Sequence, residues 1–439
     1  MKLSPLKHPP DIFIWSESTP TGSEFSVEDP LALDYLGQQV GLWLFPGLTT
    51  RTTRAQYYAM ALYGLRLAEI AIQHYSYPNT DEIKRKCFER WEKFWALATV
   101  ENHWGNMESG HIDSMRGIKG ALKSWSPHGL LPLDYKLIER QLELGGLGAY
   151  VSSLRYYKLV GEGSYRILPI AEQVLDSFWA GSSWHRTYES YALRALDFSL
   201  DRIERKSIVK LSTIGDLTRL SSIRSYPIRQ DLLWRVLIEG DKSTSEIAAS
   251  LISASNQGIR PSVQFITGLL EGKWGDLSEE VQSNVRFAYK FGQLSALLLK
   301  LFNQLYESLL YKGWTEIKTI AESIFAQDTV AVLHQSCEQL LNESRMQGFR
   351  SLNFHGPEFC NLLRDLIRAN QIEKLRLLLR FHLRVQRSRR DGTPWVKEDQ
   401  GQVNLIKTNY NGYKRESQFP NFKFSVVYSL LQDLGKIPQ

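Results

Sequence analysis

The sequence predicts a mainly α, multi-helical fold, with one small hairpin-bearing unit in the middle and a small extended region towards the C-terminus. Three observations carry this. Apolar residues recur at spacings of three and four through 29–98 and again through 286–388. Asp, Thr and Pro stand where these runs begin, and Pro-Gly stands where the first one stops. β-prone residues around turn glycines occur in two short stretches, near 160 and after 390. At 439 residues, 43% hydrophobic and 23% charged, the chain has the composition of a soluble globular protein and the length for several domains. A wholly disordered chain, a collagen-like repeat and a coiled-coil rod are excluded.

Residues 1–28 read as an extended N-terminal arm, because Pro5, Pro9, Pro10, Pro20 and Gly22 interrupt any helical period. A helical domain is expected over 29–125. In its first helix Asp29 can cap, Pro30 suits the first turn, and Pro46-Gly47 stops the run. Thr53 and Gln56 have the spacing of a capping box for a second helix carrying Tyr58, Leu62, Leu65 and Ile72. A third helix over 81–98 puts Ile83, Cys87, Trp91, Phe94 and Ala98 on one stripe. The glycine-rich stretch 105–120 reads as a loop.

Over 126–182 the texture changes. A helix over 147–158 precedes two β-prone pieces around Gly161-Glu162-Gly163, and a further helix over 169–179 closes the unit. Helix, hairpin, helix in this order resembles a winged-helix domain. The resemblance implies that the helix before the hairpin is a recognition helix. Leu147, Val151 and Leu154 should then face the core, leaving Ser152, Ser153, Arg155 and Tyr156 as the candidate nucleic-acid contacts. A solvated helix face or a protein interface is the competing reading of that surface.

A second helical domain is expected over 183–360. Its apolar stretch 232–238 and the apparent capping box from Ser243 to Glu246 suggest a helix-turn-helix, but the polar interruption 250–262 favours ordinary packed helices. Phe287, Phe291, Leu294, Leu298, Leu301 and Leu305 mark a core helix within 286–314, and helical patterns continue over 315–348 and 356–388. Residues 361–439 form a basic helix followed by an extended region, with β-prone pieces at Trp395-Val396 and 403–406 and a turn signal at Asn411-Gly412. No internal repeat points to a solenoid.

The net charge of +6 is concentrated. Between Arg364 and Arg415 there are 13 Lys/Arg against 5 Asp/Glu, so the other 387 residues carry a net charge near −2. Within this segment Arg376, Arg380, Arg384 and Arg387 share one helical face, while Leu378, Phe381 and Val385 anchor the opposite one. Arg389, Arg390, Lys397, Lys407, Lys414 and Arg415 follow, interleaved with Trp395, Tyr410 and Tyr413. Cations in a row beside aromatics suit a phosphate backbone. Carboxylates from another domain are the alternative partner.

A second anion site is expected where Arg51, Thr53 and Arg54 open a helix. Cations are unfavourable at a helix N-terminus unless an anion joins them. That anion is either a ligand or an Asp or Glu from a neighbouring helix.

Signatures of catalysis are missing. Gly240-Asp241-Lys242-Ser243 lacks the first glycine of a phosphate loop, and the chain has no GxGxxG, GxSxG, HExxH or CxxC. His103, Glu108, His111 and Asp113 have no recognised ligand spacing and are read as a hydrogen-bonding polar loop. No metal or cofactor is expected. Cys87, Cys337 and Cys360 are widely separated, which fits a reducing cytoplasm. Met1–Pro10 has no apolar signal-peptide core, and the richest apolar run, 294–299, meets Lys300 at once, so neither export nor a membrane span is expected.

One further stretch, Leu44-Phe45-Pro46-Gly47-Leu48-Thr49-Thr50-Arg51-Thr52-Thr53-Arg54-Ala55-Gln56-Tyr57-Tyr58, resembles the N-terminal signature of uncharacterised bacterial proteins. Those proteins sit with helicases and nucleases in anti-phage defence loci. The resemblance implies a bacterial accessory protein and assigns no catalytic residue. The expected function is therefore a non-enzymatic subunit that contacts nucleic acid, DNA rather than RNA, in a multi-protein defence or genome-maintenance complex. An enzyme with a dispersed active site, such as a nuclease or nucleotide-handling protein, and a pure protein scaffold are the alternatives.

Overall fold

The computed structural model describes residues 29–103, 116–126, 128–178, 185–206, 227–353, 355–388, 392–412 and 419–438. The N-terminal arm, the polar cluster from Trp104 to Asp113, and Arg389, Arg390, Tyr413, Lys414 and Arg415 lie outside the described residues.

In chain order the elements are α1 (Leu33–Leu44), α2 (Ala55–His74), α3 (Asp81–His103), α4 (Ile118–Ser124), β1 (Leu130–Pro132), α5 (Gln141–Leu144), α6 (Gly146–Tyr156), α7 (Pro169–Phe178), α8 (His185–Ala195) and β2 (Arg202–Glu204). They continue with α9 (Pro227–Leu237), α10 (Lys242–Ser255), α11 (Val263–Leu270), α12 (Glu279–Leu310), β3 (Trp314–Glu316), α13 (Ile317–Ile324), α14 (Gln327–Leu341), α15 (Met346–Arg350), α16 (Gly356–Arg368) and α17 (Gln371–Arg387). Last come β4 (Val396–Asp399), β5 (Gln402–Leu405) and α18 (Phe424–Asp433). The fold is mainly helical, as expected. No described helix is long and apolar enough to cross a membrane.

The chain divides into two units. The larger comprises Leu36–Gln293, Gln339–Leu352 and Phe419–Gln439. Its core is α2 laid along α3. Buried residues run almost all round α2, which marks it as a central helix. Gly64 lets the two helices approach, since a Cβ there would collide with the Trp91 and Phe88 rings. Aromatic rings extend the contact: Trp91 stacks on Trp95 at 5.7 Å, and Tyr57 stacks on Tyr150 of α6 at 4.8 Å. Cys87, Cys337 and Cys360 are all buried, and none is joined in a disulfide.

Helix starts in this unit depart from the sequence expectation. Thr53 and Gln56 do not form a capping box; Arg54 is the N-cap residue of α2 and makes no side-chain capping bond. The apparent box at Ser243 is also displaced. Asp241 caps α10 by accepting from the Thr244 backbone N–H at 2.8 Å, while Glu246 accepts from the backbone N–H and hydroxyl of Ser278. Helix α10 then runs through the polar stretch to Ser255, so the interruption before α11 is shorter than the sequence suggested. Helix α18 falls in a region expected to be extended. It buries Phe424, Val426, Val427, Leu430 and Leu431, an apolar stripe with a helical period.

The expected hairpin between α6 and α7 exists in minimal form. Val160 and Ile167 make one antiparallel bridge, flanked by bonds from Gly161 N–H to Arg166 O (2.8 Å) and Leu168 N–H to Leu159 O (3.0 Å). Strand β1 pairs instead with the distant β2, Leu131 opposite Ile203.

The smaller unit comprises Met1–Tyr35, Leu294–Glu338 and Asn353–Gln418. Asp29 caps the start of α1 by accepting from the backbone N–H groups of Leu33 and Asp34, both at 2.9 Å. Helices α13, α16 and α17 pack together beside a three-stranded antiparallel sheet of order β3-β5-β4. Gln400 and Gly401, both at positive φ (48° and 80°), form the two-residue turn between β4 and β5. Asn411-Gly412, the expected turn, plays no part in it. Helix α12 stops at Leu310, with Gly313 at φ 75°, so Trp314 begins a strand where a helix was expected.

The core of this unit includes a buried histidine. His382 Nδ1 faces the Pro30 carbonyl at 2.8 Å and Nε2 accepts from the Trp395 backbone N–H at 3.0 Å, which fixes a neutral ring protonated on Nδ1. Trp395 stacks on His382 and on Tyr410 (centroids 5.5 and 4.7 Å). The Tyr410 hydroxyl donates to Asn303 Oδ1 at 2.7 Å. Trp395 and Tyr410 are thus core residues, not part of an aromatic binding surface.

Candidate nucleic-acid interface

Helix α17 begins at Asn370, whose side chain accepts from the Glu373 backbone N–H at 2.9 Å. Its apolar positions Leu375, Leu378, Phe381 and Val385 are buried, and this turns the other face outward. Arg380, Arg384 and Arg387 are exposed there and Arg376 is half-buried, in the order the spacing predicted. Their charges are largely answered within the unit. Arg376 Nη2 donates to Glu398 of β4 at 3.2 Å, Arg380 pairs with Glu373, and Arg384 Nη2 donates to Glu358 of α16 at 2.6 Å. Arg387 has no carboxylate partner among the described residues. The carboxylates come from the same unit, whereas the sequence reading looked to another domain.

The two central pairs are open to water on the arginine side: the Arg380 and Arg384 side chains are 64% and 61% exposed, their Glu373 and Glu358 partners 37% and 25%. Exposed pairs of this kind are worth about 0–1 kcal/mol each, so a phosphate can replace a carboxylate at little cost.

The second predicted surface, on α6, is only partly there. Leu147 and Leu154 face the core as expected, and Val151 borders a small cavity beside Glu92. Ser153 is a correction: it is buried, and its hydroxyl lies 2.6 Å from the Tyr58 hydroxyl and donates to the Gly47 carbonyl. Arg155 donates to the Ser164 carbonyl at 3.2 Å and lies over the Tyr165 ring, so the hairpin holds it. Tyr156 is exposed, yet its hydroxyl donates to Asp241 at 3.0 Å; burial of the phenol and this bond push its pKa up to about 12. Ser152 is exposed. Three of the four residues are therefore tied into the fold.

The third predicted surface, at the start of α2, holds its own anion. Asp433, in the last turn of α18, accepts from Arg54 Nε at 2.9 Å and from the Ala55 backbone N–H at 3.0 Å. A carboxylate at a helix N-terminus beside a guanidinium is the arrangement the sequence called for, and the protein supplies it internally. Thr53 is half-buried and Arg51 is exposed, its backbone N–H bonded to the Thr49 hydroxyl at 3.2 Å.

The sequence reading missed the outer face of the three-stranded sheet. Trp314 is 48% exposed and Tyr311 is 90% exposed. The one available signal was Gly313, which breaks the α12 period just before a Trp-Thr-Glu stretch. No group of three or more His, Cys, Asp or Glu residues with the spacing for a metal occurs among the described residues. Comparison with protein families, with curated proteins and with solved structures finds no match to this chain.

Proposed function

We propose that this chain is a non-enzymatic, nucleic-acid-contacting subunit of a multi-protein bacterial defence or genome-maintenance complex. It acts in the cytoplasm beside a helicase or nuclease, and it contacts DNA rather than RNA. The observation that carries the reading is the outward arginine face of α17, set in the segment that holds the chain's whole positive excess. Phosphates engage Arg387 directly and Arg380 and Arg384 by exchanging with the partly exposed carboxylates of Glu373 and Glu358, and they release counterions as they bind. Contacts of this kind position a backbone and read no sequence.

The test is DNA binding by the full chain and by a triple variant, Arg380→Gln, Arg384→Gln and Arg387→Gln, across a range of salt. The variant should weaken binding to unrelated sequences alike and lower the salt slope by up to about three counterions' worth. Unchanged affinity and slope, with the circular dichroism spectrum intact, would overturn the reading in favour of a protein partner.

A further inference from the structure

The outer face of the sheet β3-β5-β4 carries an exposed aromatic ring, a cation, and the amide of Asn404, whose Nδ2 donates to the Gln402 carbonyl at 3.4 Å. The register places Trp314 of β3 opposite Asn404 of β5, and Asn404 opposite Lys397 of β4. Side chains alternate across a sheet, so these three share one face, while the next row, Thr315, Val403 and Glu398, shares the other. Val403 is fully buried, which identifies that second face as the inner one. Trp314, Asn404 and Lys397 therefore form a row across the outer face, about 10 Å from end to end at two strand spacings. Tyr311, at the turn leaving α12, stands next to this row in sequence, with the exposed Lys312 between the two aromatics.

Charge varies along the face. The row Glu316, Gln402 and Asp399 makes one end acidic. The Trp314 end carries Lys312 and Lys397, neither paired with a carboxylate among the described residues. Lys397 also adjoins Glu398, the residue that Arg376 of α17 grips. Glu398 belongs to the inner row, so Arg376 meets β4 from the side opposite Trp314 and Lys397. Large rings left in water lose the burial that normally keeps aromatics inside.

We infer that Trp314 and Tyr311 form a stacking platform for the bases of a single-stranded nucleic acid. Lys312 and Lys397 hold its flanking phosphates, and Asn404 offers its amide oxygen to a base edge. Every base has a π-face, so the platform is tolerant of sequence. This inference rests on the nucleic-acid reading above and adds to it the strandedness of the ligand: a duplex keeps its bases stacked inside and offers a platform nothing to bind. A second copy of this chain or a protein partner on the same face would be a different occupant, and the test separates them.

The experiment measures fluorescence anisotropy of labelled oligo(dT) and of a labelled duplex with the full chain, alongside Trp314→Ala, Trp314→Phe, Tyr311→Ala and Lys397→Gln. Trp314→Ala should weaken oligo(dT) binding by about 5- to 100-fold, as expected for loss of one base–aromatic stack. Trp314→Phe keeps a ring and should stay within about threefold of wild type, and this controls for a folding defect. Tyr311→Ala should weaken oligo(dT) binding in the same way, while duplex binding stays unchanged in all three aromatic variants. Lys397→Gln should lower the oligo(dT) salt slope by about one. If Trp314→Ala binds oligo(dT) like wild type while the arginine variant loses the duplex, the platform is overturned and the backbone reading stands. If Trp314→Ala and Trp314→Phe change the oligomeric state and leave oligo(dT) binding intact, the face is a self-association surface. A wild-type chain that binds neither ligand overturns both proposals.

Discussion

Asp433 and Ala55 are separated by 378 positions in sequence, yet the Asp433 carboxylate accepts the backbone N–H that opens α2 at 3.0 Å and holds Arg54 Nε at 2.9 Å. The last turn of α18 thereby caps the central helix of the larger unit. Asp433 is 5% exposed, so water cannot replace either bond.

Removing that carboxylate strands a partly buried guanidinium and a helix-end N–H. Asp433→Ala should lower stability by about 2–4 kcal/mol, and Asp433→Asn, which keeps an acceptor for Ala55, by about 1–2 kcal/mol. Arg54→Met combined with Asp433→Asn should recover part of the loss. Urea unfolding midpoints of the four proteins check this, and equal midpoints for wild type and Asp433→Ala would refute it.

Glu92 on α3 is wholly buried beside Tyr57 and Gln141. It accepts from the Tyr57 hydroxyl and Gln141 Nε2, both at 3.0 Å, and from the Gly146 backbone N–H at 2.5 Å at the start of α6. Burial raises its pKa despite these donors. A raised folded-state pKa means that the folded chain binds the proton more tightly than the unfolded one. The associated stability is present at acid pH and is lost as pH rises from the ordinary carboxylate range through the folded value. Glu92→Gln removes this titration, so its stability relative to wild type should improve as pH rises above the ordinary carboxylate range. A pH-independent difference between the two proteins would contradict this.

Lys423 presents the opposite case. It sits at positive φ (69°) just before α18, is 5% exposed, and its buried Nζ has no hydrogen-bond partner among the described residues. Burial pushes its pKa down to about 8. The unfolded chain holds this proton more tightly, so wild-type stability should rise as pH increases from about 8 towards 10.4. Lys423→Met carries no such cost and should be more stable than wild type at pH 7, by roughly 1–3 kcal/mol. Thermal melts at pH 7 and pH 10 read both effects, and the gap between the proteins should narrow at the higher pH.

If carboxylates compete with phosphates on α17, removing them should free the arginines. Glu358→Gln with Glu373→Gln is expected to tighten DNA binding several-fold at low salt and steepen the salt slope by about one to two, at a stability cost of about 1 kcal/mol or less. Weaker or unchanged binding by this double variant would show that the pairs serve only the fold.

The periodic elements were legible because their signal is local. Leu378, Phe381 and Val385 fix which side of α17 is buried, and that alone aims Arg380, Arg384 and Arg387 at solvent. The three-residue β3 was not legible. Its pairing with β5 comes from a strand about ninety positions away, and three residues carry no period of their own. Ser153 was misplaced because hydroxyl chemistry says polar, whereas a buried hydroxyl is stable wherever partners await it, here Tyr58 and the Gly47 carbonyl.

The sequence by itself determined the helical class, the outward aim of the arginine face and the need for an anion at the start of α2, since each depends on residues within one or two helical turns. Only the tertiary structure decided that Asp433 is that anion, that Glu358, Glu373 and Glu398 answer most of the arginine charge, and that Trp395 is buried while Trp314 faces water. Those outcomes depend on which distant groups meet, and neither residue type nor local spacing encodes the distance between atoms separated by hundreds of positions in the chain.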